Sequence, residues 1–373
     1  MDVVVTGIGL ASALGTAEES WTRLLAGESG LVHQQPFPEL AARPLGMLGD
    51  RPSALPEFVD RVAAAALQDA GLELPLPDCG LVVGSSRGCQ GLWEQRTRNG
   101  NGGSRAHWLE LLPHCAAIAA ARHLQTQAAV RAPAAACATG IWAIAQAAES
   151  IRCGEYDRAV AGALEAPVTP LTLTGFARMG ALAQTGCYPF DTEREGLVLG
   201  EGGALFVLEA EPVARARGAT AYGRVLGYGC TSDAHHLSAP APDRRMAIAA
   251  VRRCLQQSQL APNAVDYVHA HGTSTRLNDA AEAALLQSVF PRGVPVSSTK
   301  GATGHALGAS GALGVAYCMK AIAQQVLPPN VGIRQVEFDL DVVTAARSQS
   351  VRHALCLSFG FGGQNAAIAL GAF

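Results

Sequence analysis

Short apolar runs alternate with longer alanine-rich stretches along the chain. The runs at 3–9 (VVVTGIG) and 81–86 (LVVGSS) have the length and β-branched content of buried strands. The stretches at 57–71 and 113–124 have the apolar spacing of helices. Such alternation is typical of βαβ units, in which helices cover a mostly parallel sheet. The pattern predicts an α/β fold.

The same order of elements begins again after Tyr222. A strand (GRVLGYG, 223–229), a helix (243–260) and a strand (VDYVHA, 265–270) lead into a glycine-rich segment and an alanine-rich helix. Sequence identity between the two halves is low, so only the order of strands and helices is repeated. We expect two similar halves, residues 1–212 and 213–373.

The stretch AAACATG (134–140) places Cys137 between three alanines and a predicted helix. The helix follows from apolar spacings of 3, 1, 3 and 3, at Ile141, Ile144, Ala145, Ala148 and Ile151. The alanines suggest a strand end, so the thiol is expected at a strand-to-helix junction. A helix N-terminus stabilises an anion by up to about 2 kcal/mol, enough to lower a thiol pKa from about 8.5 to about 7. Cys137 is a candidate nucleophile; a buried structural cysteine is the alternative.

The composition favours a protein with a large core and a modest net charge. Hydrophobic residues make up 49% of the 373, and 28 Lys and Arg against 31 Asp and Glu give a net charge of -3. No basic excess favours nucleic acid, and no apolar run reaches the roughly 20 residues of a membrane span. The first residues lack a basic region, so a soluble cytoplasmic protein is expected. The ten scattered cysteines fit reduced thiols better than a disulfide framework.

The segment HAHGTSTRLND (269–279) follows a predicted strand. His269 and His271 would lie on one face of that strand, so a metal pair is conceivable, but no third ligand is suggested. A core contact is the more common role for His269. His271 stands before Gly272, where the chain can turn and expose the imidazole, so it is the better candidate for a reactive group.

Two further glycine-rich segments carry candidate chemistry. STKGATGHALGASGALG (298–314) contains Lys300 and His305, but Lys300 precedes the glycines, so the order of a phosphate-binding loop is absent. SFGFGGQN (358–365) could direct backbone N–H groups toward an oxyanion, with Phe361 closing over the site. A tight turn with core phenylalanines is the alternative for that segment.

Taken in order, ACATG, HGTSTxxND, STKxxTGHxLGAxGA and SFGFGGxN resemble the β-ketoacyl-acyl-carrier-protein synthases with a Cys-His-His site, elongating enzymes of the thiolase superfamily. The resemblance covers nearly the whole chain. It implies a thiolase-like fold whose two halves form five layers, α-β-α-β-α. It also implies acyl carrier protein, in acyl and malonyl forms, as partner, and a homodimer or a heterodimer with a related ketosynthase or chain-length factor. No metal, nucleotide or flavin is implied.

The resemblance also implies a reaction and a set of roles. An acyl chain on Cys137 would condense with malonyl-acyl-carrier-protein, releasing CO2 and giving a 3-oxoacyl product. His271 and His305 would drive decarboxylation, and Lys300 would order them. The remaining expected site residues are the oxyanion hole and gate, formed by Cys137, Gly360, Phe361 and Gly362, and the substrate-binding residues Leu197, Ser238, Thr273 and Thr275.

Three departures from the family pattern point to a specialised pathway, such as type II polyketide or aryl polyene synthesis. The family usually has a Glu nine residues after the second histidine, paired with the lysine, and here that position is Gly314. Leu197 replaces a phenylalanine. The basic patch expected for the acidic carrier is thin, with Arg96, Arg98 and Arg105 as candidate contacts.

Two other interpretations remain open. A chain-length-factor-like subunit would keep the fold without catalysing the reaction; the retained Cys137, His271 and His305 argue against it, whereas Gly314 favours it. A thiolase or chain-initiating synthase would show a second catalytic Cys near the C-terminus or an Asn beside the histidine, and neither pattern is present.

Overall fold

The computed structural model of the protein describes residues 1–98 and 111–373. The predicted carrier contact Arg105 lies outside the described residues. Among the described residues, no helix has the length and apolar character that crossing a membrane requires.

The strands, in chain order, are β1 (Val3–Ser12), β2 (Gly15–Thr16), β3 (Val32–Gln34), β4 (Arg43–Leu45), β5 (Gly80–Gly84), β6 (Val130–Arg131), β7 (Arg158–Glu165), β8 (Gly202–Ala210), β9 (Gly223–Ser232), β10 (Tyr267–His269), β11 (Pro295–Ser297), β12 (Val326–Leu327), β13 (Asp341–Val342), β14 (Arg347–Ser348), β15 (His353–Gly360) and β16 (Gln364–Gly371).

The helices are α1 (Ala17–Leu25), α2 (Leu55–Asp69), α3 (Gln90–Arg98), α4 (Cys115–Leu124), α5 (Thr139–Arg152), α6 (Pro170–Arg178), α7 (Glu211–Ala216), α8 (Arg245–Gln257), α9 (Arg276–Val289), α10 (Lys300–Thr303) and α11 (Ser310–Gln324). Short 3-10 turns lie at Pro262–Ala264 and Leu307–Ala309.

The two halves of the chain build their sheets in the same order. The first half pairs its strands as β6-β5-β7-β8-β1, and the second as β11-β10-β15-β16-β9, with β13 added beside β11. In both, the first three strands are parallel and the last two pairings are antiparallel. Antiparallel pairing of β1 with β9 joins the two sheets. The predicted repeat of element order is therefore present in the strand topology.

The helices lie in three layers around the two sheets. Apolar residues of α2 and α4 pack on the outer face of the first sheet, and those of α8 and α9 on the outer face of the second. Between the sheets lie α5 and α11, which are buried along most of their length. This is the predicted five-layered α-β-α-β-α arrangement.

Small residues allow the two central helices to approach closely. A Cβ atom added to Gly140 of α5 would lie 2.5 Å from the backbone nitrogen of Ala312 in α11 and 3.0 Å from the Ala312 Cβ. Such distances are shorter than carbon and nitrogen atoms tolerate. The glycine therefore brings the start of α5, with Cys137 before it, against the segment that follows His305.

Two expectations about the cysteines and their surroundings are wrong. The alanines before Cys137 do not end a strand, because β6 stops at Arg131 and residues 132–136 form a loop. The structure also joins Cys89 and Cys115 in a disulfide, with Cα atoms 6.8 Å apart, whereas reduced thiols were expected in preference to a disulfide framework. The bond ties the start of α4 to the segment preceding α3.

Candidate active site

Cys137 lies in a strained loop just before α5. The preceding residue, Ala136, has a φ of 47°, a left-handed conformation that residues with a Cβ rarely adopt. The Thr139 hydroxyl accepts a hydrogen bond from the Ala135 nitrogen (2.8 Å) and donates one to the Ala136 carbonyl (2.7 Å). These bonds hold the turn that carries the thiol. The thiol residue itself is only 9% exposed.

The end of β15 packs directly on this loop. The Ser358 hydroxyl donates a hydrogen bond of 2.8 Å to the Cys137 carbonyl. A Cβ at Gly360 would lie 2.9 Å from the Ala135 oxygen and 3.0 Å from the Cys137 nitrogen, so only glycine fits there without displacement. The Phe361 backbone N–H is a small influence that lowers the pKa of the Cys137 thiol. Gly362 follows with a φ of 77°, in the left-handed region.

The His271 segment is held by buried charged groups. Glu282 of α9 accepts hydrogen bonds of 2.7 Å from the backbone nitrogens of His271 and Gly272. On the other side, the Lys300 ammonium donates to the His271 carbonyl. Lys300 and Glu282 are 3% and 1% exposed. The chain therefore fixes the backbone of His271 from both sides, leaving its ring free to face the cavity.

His305 reaches the same point from the turn after α10. Its Nδ1 lies 2.8 Å from the Ser310 hydroxyl, and its backbone nitrogen donates to the Val198 carbonyl at 2.6 Å. Its ring centroid is 5.4 Å from that of His271, with the planes at 80°. No partner for the His271 Nδ1 lies among the described residues.

The sulfur of Cys137 and one ligand atom each of His271 and His305 all lie within 4.8 Å of one another. All three residues are buried. One thiol and two imidazoles could also bind zinc, since these are ligands that zinc prefers. His269 is not part of this group.

Burial controls the protonation of all three groups. It lowers the pKa of His271 and His305 well below the ordinary histidine value, and the positive charge of Lys300 lowers both further. Both imidazoles are therefore neutral near pH 7. Burial also raises the pKa of the Cys137 thiol to about 11, against the opposing charges of Lys300 and Arg87. The expectation that the helix terminus alone would ionise Cys137 is thus wrong, because desolvation outweighs it.

The three groups open into a cavity of about 340 Å³. Of the other predicted site residues, Gly362 is not in the lining, which includes Leu197, Ser238, Thr273, Thr275, Gly360 and Phe361. The hydroxyls of Thr273 and Thr275 lie 2.9 Å apart. Phe361 is 38% exposed, and its ring centroid lies 5.9 Å from that of Phe176. Lys300 stands behind His271 and does not line the cavity.

The two predicted carrier contacts that the structure describes lie away from the cavity lining. Arg96 and Arg98 are on α3, and Arg98 forms a surface ion pair of 3.3 Å with Glu39. Sequence reasoning missed Arg276, which lines the cavity at the start of α9. It also missed Glu282, although its position one helical turn after Asp279 was a usable signal.

Comparison with known families agrees with this geometry. The model for the β-ketoacyl synthase N-terminal domain matches residues 53–214, and that for the C-terminal domain matches residues 222–334. The chain belongs to the β-ketoacyl synthase family. The resemblance inferred from the four motifs is confirmed. The boundary between residues 212 and 213 stays a prediction.

Similar proteins cover the whole chain. The 3-oxoacyl-[acyl-carrier-protein] synthase 2 of Mycobacterium bovis is 34% identical over 408 residues, spanning 100% of this chain and 97% of the relative. A solved structure described as the ishigamide ketosynthase/chain length factor has a TM-score of 0.93 at 30% identity, covering 100% of this chain and 99% of that one. A type II PKS acyl-carrier protein in complex with its ketosynthase bound to the hexaketide gives a TM-score of 0.92 at 28% identity, covering 100% and 99%.

Proposed function

We propose that this chain is a 3-oxoacyl-acyl-carrier-protein synthase that condenses an acyl group held on Cys137 with malonyl-acyl-carrier-protein. One observation carries the proposal: the thiol of Cys137 and the neutral imidazoles of His271 and His305 lie within 4.8 Å of one another at a cavity. A soft nucleophile and two neutral hydrogen-bonding rings are what thioester exchange and decarboxylation require.

In the first half-reaction, Cys137 takes the acyl group. Its sulfur attacks the thioester carbonyl, and a neutral imidazole accepts the thiol proton and passes it to the departing carrier thiol. The backbone N–H groups of Cys137 and Phe361 stabilise the oxyanion. A proton acceptor is needed because burial raises the thiol pKa and keeps the thiol protonated near pH 7.

In the second half-reaction, malonyl thioester enters past Phe361. N–H groups of His271 and His305 donate to its carbonyl oxygen. When CO2 leaves, these two hydrogen bonds stabilise the negative charge on the enolate oxygen. The enolate carbon attacks the acyl carbonyl on Cys137, the carbon–sulfur bond breaks, and the departing thiolate takes up a proton that solvent supplies through an imidazole. Lys300 acts by fixing the His271 backbone. Thr273, Thr275, Ser238 and Leu197 line the path that the substrate occupies.

The partner assignments are part of the same proposal. Acyl carrier protein would deliver both substrates, and the chain would work as a homodimer or with a related ketosynthase or chain-length-factor subunit. Support comes from the relatives, two of which are described with a carrier protein or a chain length factor. A specialised pathway is favoured by Gly314 and Leu197. The cytoplasmic location stays a prediction.

The decisive experiment measures the intact mass of the purified chain after incubation with a panel of acyl-carrier-protein thioesters, with Cys137→Ala as the matched control. We expect an adduct of one acyl group in the wild type and none in the control, followed by 3-oxoacyl product when malonyl carrier is added. EDTA-treated protein should react equally, since no step uses a metal.

A second function would follow from the opposite result. If no donor acylates the chain alone, but a ketosynthase partner becomes active or changes product length in its presence, the chain is a chain-length-factor-like subunit. The substitution of the usual Glu by Gly314 is the observation that favours this interpretation.

A further inference from the structure

Position 314 has no room for a side chain. A Cβ atom added to Gly314 of α11 would lie 2.6 Å from the sulfur of Cys356, 2.7 Å from Nδ1 of His269 and 2.8 Å from Cε1 of His269. Each distance is shorter than a real Cβ contact. The space in which the family's usual glutamate would begin is therefore filled by the imidazole of His269 and the thiol of Cys356.

His269 is buried in this part of the core and contacts three of its residues. It is 2% exposed, and its Nε2 lies at hydrogen-bond distance, 3.1 Å, from the Thr299 hydroxyl. Its Nδ1 lies 3.8 Å from the sulfur of Cys356, and its ring stacks on Tyr317 with centroids 6.5 Å apart. Thr299 directly precedes Lys300 and stands at the N-terminus of α10. His269 therefore contacts the residue that directly precedes Lys300 in the chain.

The counter-charge of Lys300 comes from the opposite side. Burial lowers the pKa of Lys300, and the carboxylate of Glu282 on α9 is the largest opposing influence. Glu282 also holds the His271 backbone, to whose carbonyl Lys300 donates. The largest charge that favours the ammonium thus comes from Glu282 and not from position 314. Without the glutamate, another group must fix the position of the segment that carries Lys300 and His305.

We propose that His269 is a positioning residue that replaces the missing glutamate in placing this segment. It fills the space at position 314 and, through Thr299, fixes the part of the chain that carries Lys300 and His305. The inference rests on the proposed condensing activity. It predicts that His269 matters most for decarboxylation and condensation, which need both histidines on one carbonyl oxygen, and less for acylation of Cys137, which needs a single imidazole as proton acceptor.

The first experiment compares His269→Leu with His269→Gln. Leucine fills the space without a polar atom, whereas the glutamine amide can still meet the Thr299 hydroxyl. We expect His269→Leu to lower the kcat of condensation about tenfold or more, since small misplacement of reacting groups has effects of this size. The KM for malonyl carrier and the acylation rate should stay within about twofold. His269→Gln should recover most of the kcat.

Thr299→Val tests the same bond from its other end. It should lower kcat as His269→Leu does, and the double variant should be no worse than either single one, because both remove one interaction. If His269→Leu does not fold, Thr299→Val still tests this hydrogen bond. The matched control is His353→Leu, since His353 lies on the neighbouring strand β15 with its own hydrogen bond of 2.9 Å to the Ala264 carbonyl.

Thermal unfolding tests the shared space independently of activity. Gly314→Glu alone should lower Tm strongly, and His269→Ala combined with Gly314→Glu should recover a large part of the loss by vacating the imidazole's volume. Wild-type Tm in Gly314→Glu alone would overturn the placement of His269.

Two kinetic results would overturn the positioning role. One is wild-type kcat in both His269→Leu and Thr299→Val. The other is an equal loss in acylation and condensation that His269→Gln does not restore, which would show a structural role only. A wild-type chain that takes no acyl group would instead refute the proposed function, and the unfolding comparison would still decide where His269 sits.

Discussion

The two halves of the chain supply the site in different ways. The first half supplies the nucleophile loop, residues 134–140, which is held by neutral groups: backbone bonds, the Thr139 hydroxyl and, from the second half, the close contact with Gly360. The second half supplies the histidine network, by which we mean His271, Glu282, Lys300 and His305. That network is held by buried charges.

The two kinds of group have opposite pKa shifts from one cause, because burial disfavours the charged form of each. An apolar surrounding keeps Cys137 as a neutral thiol until a substrate arrives. Burial beside the Lys300 ammonium keeps the imidazoles neutral, so that they can accept a proton or donate a hydrogen bond. Two similar sheets can thus hold one reactive group by close packing and neutral hydrogen bonds, and another by buried charged side chains.

The largest expected effect separates the two half-reactions. Cys137→Ala should abolish acylation and lower condensation by at least about 1,000-fold, because no other group takes the acyl chain. It should keep malonyl decarboxylation. His305→Ala should show the reverse pattern, with acyl adduct still formed and CO2 release lost. Mass spectrometry and CO2 release measure the two activities; parallel loss in both variants would contradict the division.

Gly360→Ala should damage the nucleophile loop and spare the histidine network. The added Cβ would lie 2.9 Å from the Ala135 oxygen and 3.0 Å from the Cys137 nitrogen, so the thiol must move. We expect acylation to slow by about 100-fold, the cost of misplacing a reacting atom by about 1 Å. Gly175→Ala is the control, because nothing lies within 4 Å of its added Cβ. An unchanged acylation rate would show that the contact is not limiting.

Glu282→Gln should weaken the histidine network alone. Both carboxylate oxygens accept from backbone nitrogens, and an amide has only one acceptor for them. The free energy of unfolding should fall by about 1–3 kcal/mol, the cost of an unsatisfied buried group. Glu28→Gln, in an exposed pair with Arg23, should cost less than about 1 kcal/mol. Equal stability of the two variants in chemical denaturation would argue against the network.

The pH profile of acylation tests how the neutral thiol is used. Burial raises the pKa of Cys137 to about 11, so attack by a thiolate formed beforehand would speed up about tenfold per pH unit between pH 7 and 9. A neutral imidazole that accepts the proton gives a plateau instead. Since both histidines have pKa values well below 6.5, we expect the plateau to persist as pH falls to 6.5. A slope of one across this range would exclude the imidazole as acceptor.

The smallest effect is expected from charges outside both regions. Reversing Arg96 and Arg98 to Glu should raise the Michaelis constant for carrier protein a few-fold at low salt, because surface charges act mainly on encounter. Both half-reactions should weaken equally, since each begins with carrier binding. Arg51→Glu, on another exposed surface, is the control. An unchanged Michaelis constant would remove these arginines from the docking surface.

The hydrophobic pattern determined the fold class, the repeat of element order and several of the longer helices and strands. The helix predicted after Cys137, from apolar positions that run to Ile151, ends at Arg152 with a cap at Cys153. These features depend on local periodicity and on motif order. Both can be read along one chain, and the same motifs identified the family.

Only the tertiary structure decided which groups meet and what environment they share. Cys137 and His271 are far apart in sequence, and their approach depends on α5 and α11 packing between the two sheets. The thiol pKa was predicted in the wrong direction because the helix terminus is local whereas desolvation depends on the whole fold. For the same reason Gly314 looked like a missing charge in the sequence. In the fold it is a position whose space His269 already fills.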